Sequence, residues 1–302
     1  MILFIVETVR SERNIENVTG SAYMDNNKVI VPPIKCQGIK TKIVPFLKEK
    51  VVRSEDGMWI EPFLGSGVVA LNLAPSTALL CDRNPYIIAF YQGIQNGSIT
   101  SSLVREFLEF HGEKLKLHGA AYYREMRDSF NANGDPLYFL FLNRSDFNGM
   151  IRFNRKGQFN VPFCQKPNRF SKPYISKICN QVDAAAKVIH GRNWTFQCCR
   201  WQDAFEGASA DDYIYLDPPY FGRDTSYVGE WPETEAVQLA EYAHNTPANV
   251  CLSMWKENEF RRNDHLYAYW SDFSWYEQDH FYHFGAKEKY RHPMIEVLAI
   301  KR

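Results

Sequence analysis

The stretch Asp217-Pro218-Pro219-Tyr220 joins an acid, two prolines and an aromatic ring. It follows Tyr213-Ile214-Tyr215-Leu216, an apolar and β-prone run, so the acid falls at the end of a buried strand. Each proline fixes φ and removes a backbone donor, which leaves carbonyls as bare acceptors. A carboxylate and a bare carbonyl beside a ring suit a planar exocyclic amine. The acceptors take its two N–H groups while the ring stacks on the heterocycle. On these four residues alone, a strand-ending turn is an equal reading.

Other stretches have to meet that corner. Met58 to Phe63 reads as a short strand, Leu64-Gly65-Ser66-Gly67 as a glycine turn, and Val68 to Ala74 as a helix stopped by Pro75. Strand, glycine turn and helix make the first unit of an open α/β sheet. Glycines at such a turn let a ligand lie against backbone. The third glycine of the dinucleotide spacing and the Gly-Lys-Ser/Thr of a phosphate loop are missing, so pyrophosphate is not the expected ligand. Ala78 to Asp82 is the next strand, and its terminal acid is placed to accept from ribose hydroxyls. Asn84, before Pro85, caps the helix that follows through Asn96. Gly38 lets backbone approach a ligand. Lys40, at a loop–helix junction, could meet a carboxylate, although a surface lysine is the plainer reading.

Ile99, Leu103, Phe107 and Phe110 mark a helix ending near Gly119, and Ala120 to Phe130 another. Ser176 to His190 is a helix and Trp194 to Cys198 a strand. A helix from about Thr234 to Asn245, the strand Asn249–Trp255 and a closing pair around Trp270–Phe284 and Met294–Ile300 complete the pattern. It predicts an α/β, Rossmann-like doubly wound sheet interrupted by a helix-rich insertion. Within the insertion, Phe159, Val161 and Phe163 alternate and Arg155-Lys156-Gly157 signals a turn, so a β-hairpin is expected near 152–163. No Asp or Glu occurs from Phe147 to Val182, whereas Arg152, Arg155, Lys156, Lys166, Arg169, Lys172 and Lys177 do. A two-stranded ribbon fits a DNA major groove; a solvated surface hairpin is the other reading.

The 302 residues allow one large domain or one plus an insertion, and a 45% hydrophobic content supports a substantial core. Lys and Arg together number 35, as do Asp and Glu, so nucleic-acid binding would have to come from a local patch. Seven cysteines without a Cys-x-x-Cys pair, and eight histidines without zinc-like spacing, point to a reduced, cytoplasmic protein with no metal. Met1 to Val6 is apolar but too short for a membrane span and lacks the basic start of a signal peptide. Residues 1–30 carry no readable element.

Six stretches in chain order resemble the motifs of the Dam-type DNA adenine-N6 methyltransferases, the D12 class with the α order of motifs. They are Lys35-Cys36-Gln37-Gly38-Ile39-Lys40, Glu61-Pro62-Phe63-Leu64-Gly65-Ser66-Gly67, Asp82, Phe147-Asn148-Gly149 to Arg152-Phe153-Asn154, Gly157 to Phe163, and Asp217 to Tyr220. The likeness runs from Val31 to Ile300. Pro32 to Lys42 and Pro162 to Phe170 are similar to the EcoRV-type modification methyltransferases. That likeness implies GATATC or a related site, and the modification half of a restriction–modification system whose restriction endonuclease acts on the same site.

The resemblance implies a methyltransferase sheet over residues 1–92 and 191–302, and a mostly helical DNA-recognition domain over 93–190 that carries the hairpin. It implies S-adenosylmethionine as methyl donor. Lys40, Asp217 and the turn Phe63, Gly65, Ser66 and Gly67 would lie near its amino-acid part, Asp82 at its ribose, Asp203 at its adenine amine and Cys36 elsewhere against it. Asp217, Pro218, Pro219 and Tyr220 would be catalytic, acting on a base flipped from double-stranded DNA. Arg152 and the hairpin would read base edges, together with Asn148, Lys35 and Lys166. Arg155, Lys156, Arg169 and Lys172 would hold phosphates, with Asn154 and Pro162 on the same DNA-facing surface. Cys36 stands where Dam relatives carry Trp, and Gln165-Lys166 where Dam has Arg-Tyr, so neither aromatic cover of the donor nor a GATC target carries over. Balanced charge fits a monomer. RNA guanine-N2 methyltransferases share the Asp-Pro-Pro-Tyr corner but lack Lys-x-x-Gly-x-Lys and the hairpin insertion. Glutamine methyltransferases carry Asn in place of Asp217. A catalytically silent nucleic-acid binding module would not need Asp217 and the glycine turn intact.

Overall fold

The computed structural model describes residues 28–220, 231–281 and 293–302. The readings for residues 1–27 and 282–284 lie outside them. Short apolar runs buried on both faces become central parallel strands. Trp59–Glu61 (β1) and Tyr213–Leu216 (β4) are such runs, buried at every residue. They pair in parallel, and Thr77–Asp82 (β2), Asn193–Cys198 (β3) and Asn249–Asn258 (β5) extend the parallel sheet on either side. Pro293–Lys301 (β8) joins β5 antiparallel, Ser274–Phe281 (β7) joins β8, and Arg261–Arg262 (β6) folds back on β5. The order is β3-β2-β1-β4-β5-β8-β7. The expected mixed α/β fold with a mostly parallel sheet is therefore present. The succession of strands reverses between the parallel β1 and β4, where open sheets of this kind leave a crevice for ligands.

Alternation along each strand divides the sheet into two apolar faces. Trp59, Tyr213, Tyr215, Leu298 and Ile300 lie on one, and Trp59 stacks on Tyr213 at 5.4 Å. Ile60, Ile214, Leu216, Leu252 and Val297 lie on the other, under Glu233–Asn245 (α8) and Asp264–Tyr269 (α9). The first face is covered by Val44–Lys50 (α1), Val68–Leu73 (α2) and Pro85–Gln95 (α3). Its core runs without a break into Ser101–His118 (α4), Ala120–Asn133 (α5), Pro136–Ser145 (α6) and Lys172–Ile189 (α7).

Local chemistry sets the helix starts. Asn84, Thr100 and Asp135 each accept a backbone N–H from the first turn of α3, α4 and α6, and Pro85 and Pro136 occupy first-turn positions where a missing donor costs nothing. The inner face of α4 differs from the expected one. Val104, Leu108, Gly112 and Leu115 are buried, while Leu103 and Phe110 are exposed. Gly112 is the reason: it admits Phe170, whose Cβ would lie 2.8 Å from a side chain added there. Helix α9 has no counterpart in the sequence reading; Asn263 caps it by accepting from the Leu266 N–H.

The segment 152–163 does not form a continuous two-stranded ladder. It makes isolated bridges, Phe153 to Phe159 and Asp146 to Phe163. The alternation seen in the sequence has another cause. Phe159, Val161 and Phe163 are buried against the helices, and Asn131 of α5 holds Phe159 by both its N–H and its carbonyl.

Candidate active site

The loop before α1 is fastened to α6 by polar side chains. Asn143 accepts the Lys35 N–H at 2.8 Å and donates to the Lys35 carbonyl at 2.9 Å. Arg144, also buried, donates to the Pro33 carbonyl at 2.7 Å and to Gln181 of α7. The Lys40 carbonyl then accepts from Ile43 and Val44 and opens α1. These bonds fix where the Lys40 side chain emerges.

Lys40 is buried, and its Nζ lies 3.1 Å from Asp217 Oδ1. It also donates to the Tyr220 hydroxyl and sits 4.9 Å from the centre of that ring. A buried ammonium needs compensation of this kind. Burial opposes its charge, but Asp217 first and Glu296 next outweigh that and raise its proton affinity well above the ordinary range. Burial also raises the Asp217 carboxyl, against the opposing effect of Lys40, to about 6. Asp217 keeps 23% exposure, so an incoming group can still reach it.

Two further acids stand by this pair: Glu61, which opens the glycine-turn motif with no role assigned to it, and Glu296, which lies outside every motif. Glu61, at the end of β1, accepts from the Trp59 indole at 2.7 Å, and burial, with Asp217 nearby, lifts it to about 8. Glu296 of β8 is 3% exposed. The available signal was a charge inside an otherwise apolar strand.

The glycine turn lies at the end of the neighbouring strand. Gly65 and Gly67 have φ of 51° and 70°, and a side chain added at Gly65 would meet nothing within 4 Å. Tyr91 donates to the Ser66 carbonyl and packs under Gly67. Asp82, at the end of β2, accepts the Gly65 and Asn84 N–H groups, each at 2.8 Å, which ties the turn to the acid. Burial raises its carboxyl despite those two bonds. Cys36 is near the same acids: burial raises its thiol, and Asp82 and Asp217 add to that. The ends of β1, β2 and β4, with the loop before α1, thus bring Gly65–Gly67, Asp82, Asp217, Lys40 and Cys36 together.

Phe63 packs edge-on to Trp231 at 5.5 Å and near Trp201, on the other side of the turn. Asp203 is further out, where a hydrogen bond from Arg200 at 2.6 Å holds its carboxyl below the usual range. A small cavity of about 10 Å³ adjoins Pro218, Pro219 and Tyr220, with Trp231, Trp255 and Trp270 in its wall.

The basic segment is more internally bonded than its charge suggested. Arg152 donates to the Asn160 side chain at 2.7 Å and to its carbonyl at 3.0 Å. Asn154 closes the 154–158 turn by accepting from Lys156 and Gln158. Arg169 donates to the Arg144 carbonyl and to the Tyr174 hydroxyl, and stacks 4.4 Å from that ring. The Lys35 stem packs on Gly149, where a side chain would come within 2.5 Å of it. Burial lowers the pKa of the Lys35 ammonium. Asn148, Arg155, Lys156, Pro162 and Lys166 are exposed. No cluster of metal-ligating side chains, and no helix long and apolar enough to cross a membrane, occurs among the described residues.

An α/β crevice with a lysine–aspartate pair at the end of β4 and a glycine turn at the end of β1 fits a group-transfer enzyme. The sequence profile of the D12 class N6 adenine-specific DNA methyltransferases matches residues 37–284, and the chain belongs to that family. It is similar to a DNA adenine methylase of Vibrio cholerae, 32% identical over 65% of this chain and 70% of the relative. A DNA adenine methylase of Salmonella typhi is 29% identical over 72% and 76% of the two chains, and one of Escherichia coli K12 is 30% identical over 70% and 72%. The protein is an adenine-specific DNA methyltransferase.

Proposed function

We propose that the protein uses S-adenosylmethionine to methylate the N6 amine of an adenine flipped out of duplex DNA. The observation that carries this reading is the Lys40–Asp217 pair beside the bare Gly65–Gly67 turn. The donor set suits that cofactor. Asp82 offers a pinned carboxylate to ribose hydroxyls, Gly65 leaves backbone open to a close approach, and Asp217 suits a ligand carrying positive charge. When bound, the cofactor supplies an electrophilic methyl carbon on a sulfonium.

An adenine amine is a poor nucleophile because its lone pair is delocalised into the ring. Asp217 and the Pro218 carbonyl would accept its two hydrogens and favour a pyramidal nitrogen. The proline-stiffened backbone holds both acceptors in place before the base arrives, so catalysis is chiefly orientation and electrostatics. Base flipping costs on the order of a few kcal/mol, part of which stacking on Tyr220 would offset. The Tyr220 ring now faces Lys40, and the cavity beside it has room for about one water.

DNA would be engaged by the insertion between α3 and β3. Its exposed Asn148, Arg155, Lys156, Pro162 and Lys166 form the contact surface, with Lys35 beside them. Bonds that hold Arg152, Asn154 and Arg169 in place argue for positioning that surface as their first task. The protein would act as a cytoplasmic monomer that modifies GATATC or a related site opposite a restriction endonuclease. Asp217→Ala tests the core of the reading: transfer of tritiated methyl groups from S-adenosylmethionine to duplex DNA should fall at least a hundredfold. Transfer at the wild-type rate would sink it.

A further inference from the structure

We propose that Glu296 is a positioning residue of this site, acting through Lys40: it gives the ammonium a second carboxylate, and so leaves Asp217 with acceptor capacity to spend on the target amine. The inference rests on the catalytic reading of Asp217 above.

Sheet register places Glu296 where this requires. Tyr215 of β4 pairs with Cys251 of β5, and Cys251 with Ile300 of β8; Ser253, two residues on, pairs with Leu298. Tyr215, Cys251, Leu298 and Ile300 share one face of the sheet. Alternation carries Asp217 and Glu296, the next residues in step, onto that same face at its carboxyl end. Glu296 lies opposite Trp255 on β5 and Gln278 on β7, is 3% exposed, and interrupts the run Met294-Ile295 to Val297-Leu298-Ala299-Ile300. A carboxylate in such a strand is costly, and stability alone gives no reason for it. Its charge reaches the cluster: it favours the Lys40 ammonium and opposes ionisation of Asp217 and Tyr220.

A carboxylate locked in a private ion pair is a weak acceptor for a further donor. A lysine that bonds both Asp217 and the Tyr220 hydroxyl, and that also feels the charge of Glu296, neutralises Asp217 only in part. The groups bearing on Asp217 are Lys40 before α1, Cys36 in the same loop, Glu61 on β1, Tyr215 on β4, Tyr220 after it and Glu296 on β8. Of these, Glu296 is the acid that Lys40 links directly to Asp217 in charge.

The test is the pH dependence of S-adenosylmethionine binding by calorimetry and of methyl transfer, in wild type, Glu296→Gln and Glu296→Asp. Gln removes a like charge from Asp217, so the acid limb of both profiles should move to lower pH, by on the order of one unit. Asp keeps the charge and should leave the limb in place. An unmoved or upward-moving limb in the Gln variant overturns the proposal. A second measurement follows Asp217 itself: in ¹³C-carboxyl-labelled protein, its titration should move to lower pH in Glu296→Gln and stay in place in Glu296→Asp. An Asp217 curve that Glu296→Gln leaves unmoved overturns the proposal as well. If wild type does not bind the donor at all, the catalytic reading fails, while the Asp217 curve in the Gln variant still decides whether Glu296 acts on it.

Discussion

Lys40 Nζ stands 3.1 Å from Asp217 Oδ1, the one carried by the loop before α1 and the other by the end of β4. Removing the cation leaves an uncompensated half-buried carboxylate, which costs at most roughly 3–5 kcal/mol when ionised. Lys40→Met should therefore raise the Asp217 carboxyl above its present value of about 6. The sign for stability follows. A carboxyl raised above its unfolded value favours the folded state while protonated and penalises it as pH rises through the folded pKa. Lys40→Met should thus cost more stability at pH 8 than at pH 5.5, and the acid limb of methyl transfer should move up. Melting curves at the two pH values check the first, and a pH–rate profile the second. Equal losses at both would mean that pairing with Asp217 is not what Lys40 contributes.

Glu61 supports a separate pH prediction. Its folded pKa is raised from 4.5 to about 8, so the folded protein holds a proton that the unfolded chain releases in that window. Stability should fall as pH rises from about 4.5 through 8. Glu61→Gln keeps an acceptor for the Trp59 indole and removes the titration. The variant and wild type should be about equally stable at pH 5, and the variant more stable at pH 9 by on the order of a few kcal/mol. Urea unfolding of the ligand-free proteins at both pH values measures the difference.

The crevice was legible because its chemistry demands particular residue types at strand ends: Asp82 and Asp217 close apolar runs, and Gly65 and Gly67 sit where the chain must turn left-handed. Lys40 was ambiguous alone, since nothing local reveals a partner at the far end of the fold. Glu296 is hidden in the sequence because a single acid in a strand looks like an edge residue until the register is known. On the DNA side, charge was visible but its use was not. The sequence reads Arg152 as a base-edge contact and Arg169 as a phosphate contact, and only the folded chain brings Asn160, Tyr174 and the Arg144 carbonyl to them. The missed face of α4 has the same origin. Gly112 is core because Phe170 fills the space it leaves, whereas exposed Phe110 only looks like core.

The two turn glycines should separate folding from ligand binding. Both have positive φ, so alanine at either costs roughly 1–2 kcal/mol in backbone strain. At Gly67 the new methyl would also press on the Tyr91 ring at 3.2 Å, which adds to the loss of stability. At Gly65 it would point into open space, where the donor is expected to approach. Gly65→Ala should therefore be the more stable variant and the weaker binder of S-adenosylmethionine. Thermal melts beside calorimetric titrations test this, and an order reversed in binding would remove Gly65 from the donor site.

Exposed and internally bonded cations should behave differently towards DNA. Arg155 and Lys156 sit at the tip of the 154–158 turn, so alanine there should change stability by no more than about 0.5 kcal/mol. If each holds a phosphate, its loss should lower the slope of log affinity against log salt by about one, equally for cognate and unrelated duplexes. Arg169→Ala should instead leave the Arg144 carbonyl without this donor and take one of several from the Tyr174 hydroxyl, which Arg144 and Lys35 also reach, at roughly 1–3 kcal/mol of stability. Fluorescence anisotropy with a labelled duplex across a salt series, read beside melting curves, separates the two behaviours. A slope that Arg155→Ala and Lys156→Ala leave untouched would take DNA off this turn and move the contact surface towards Asn148 and Lys166.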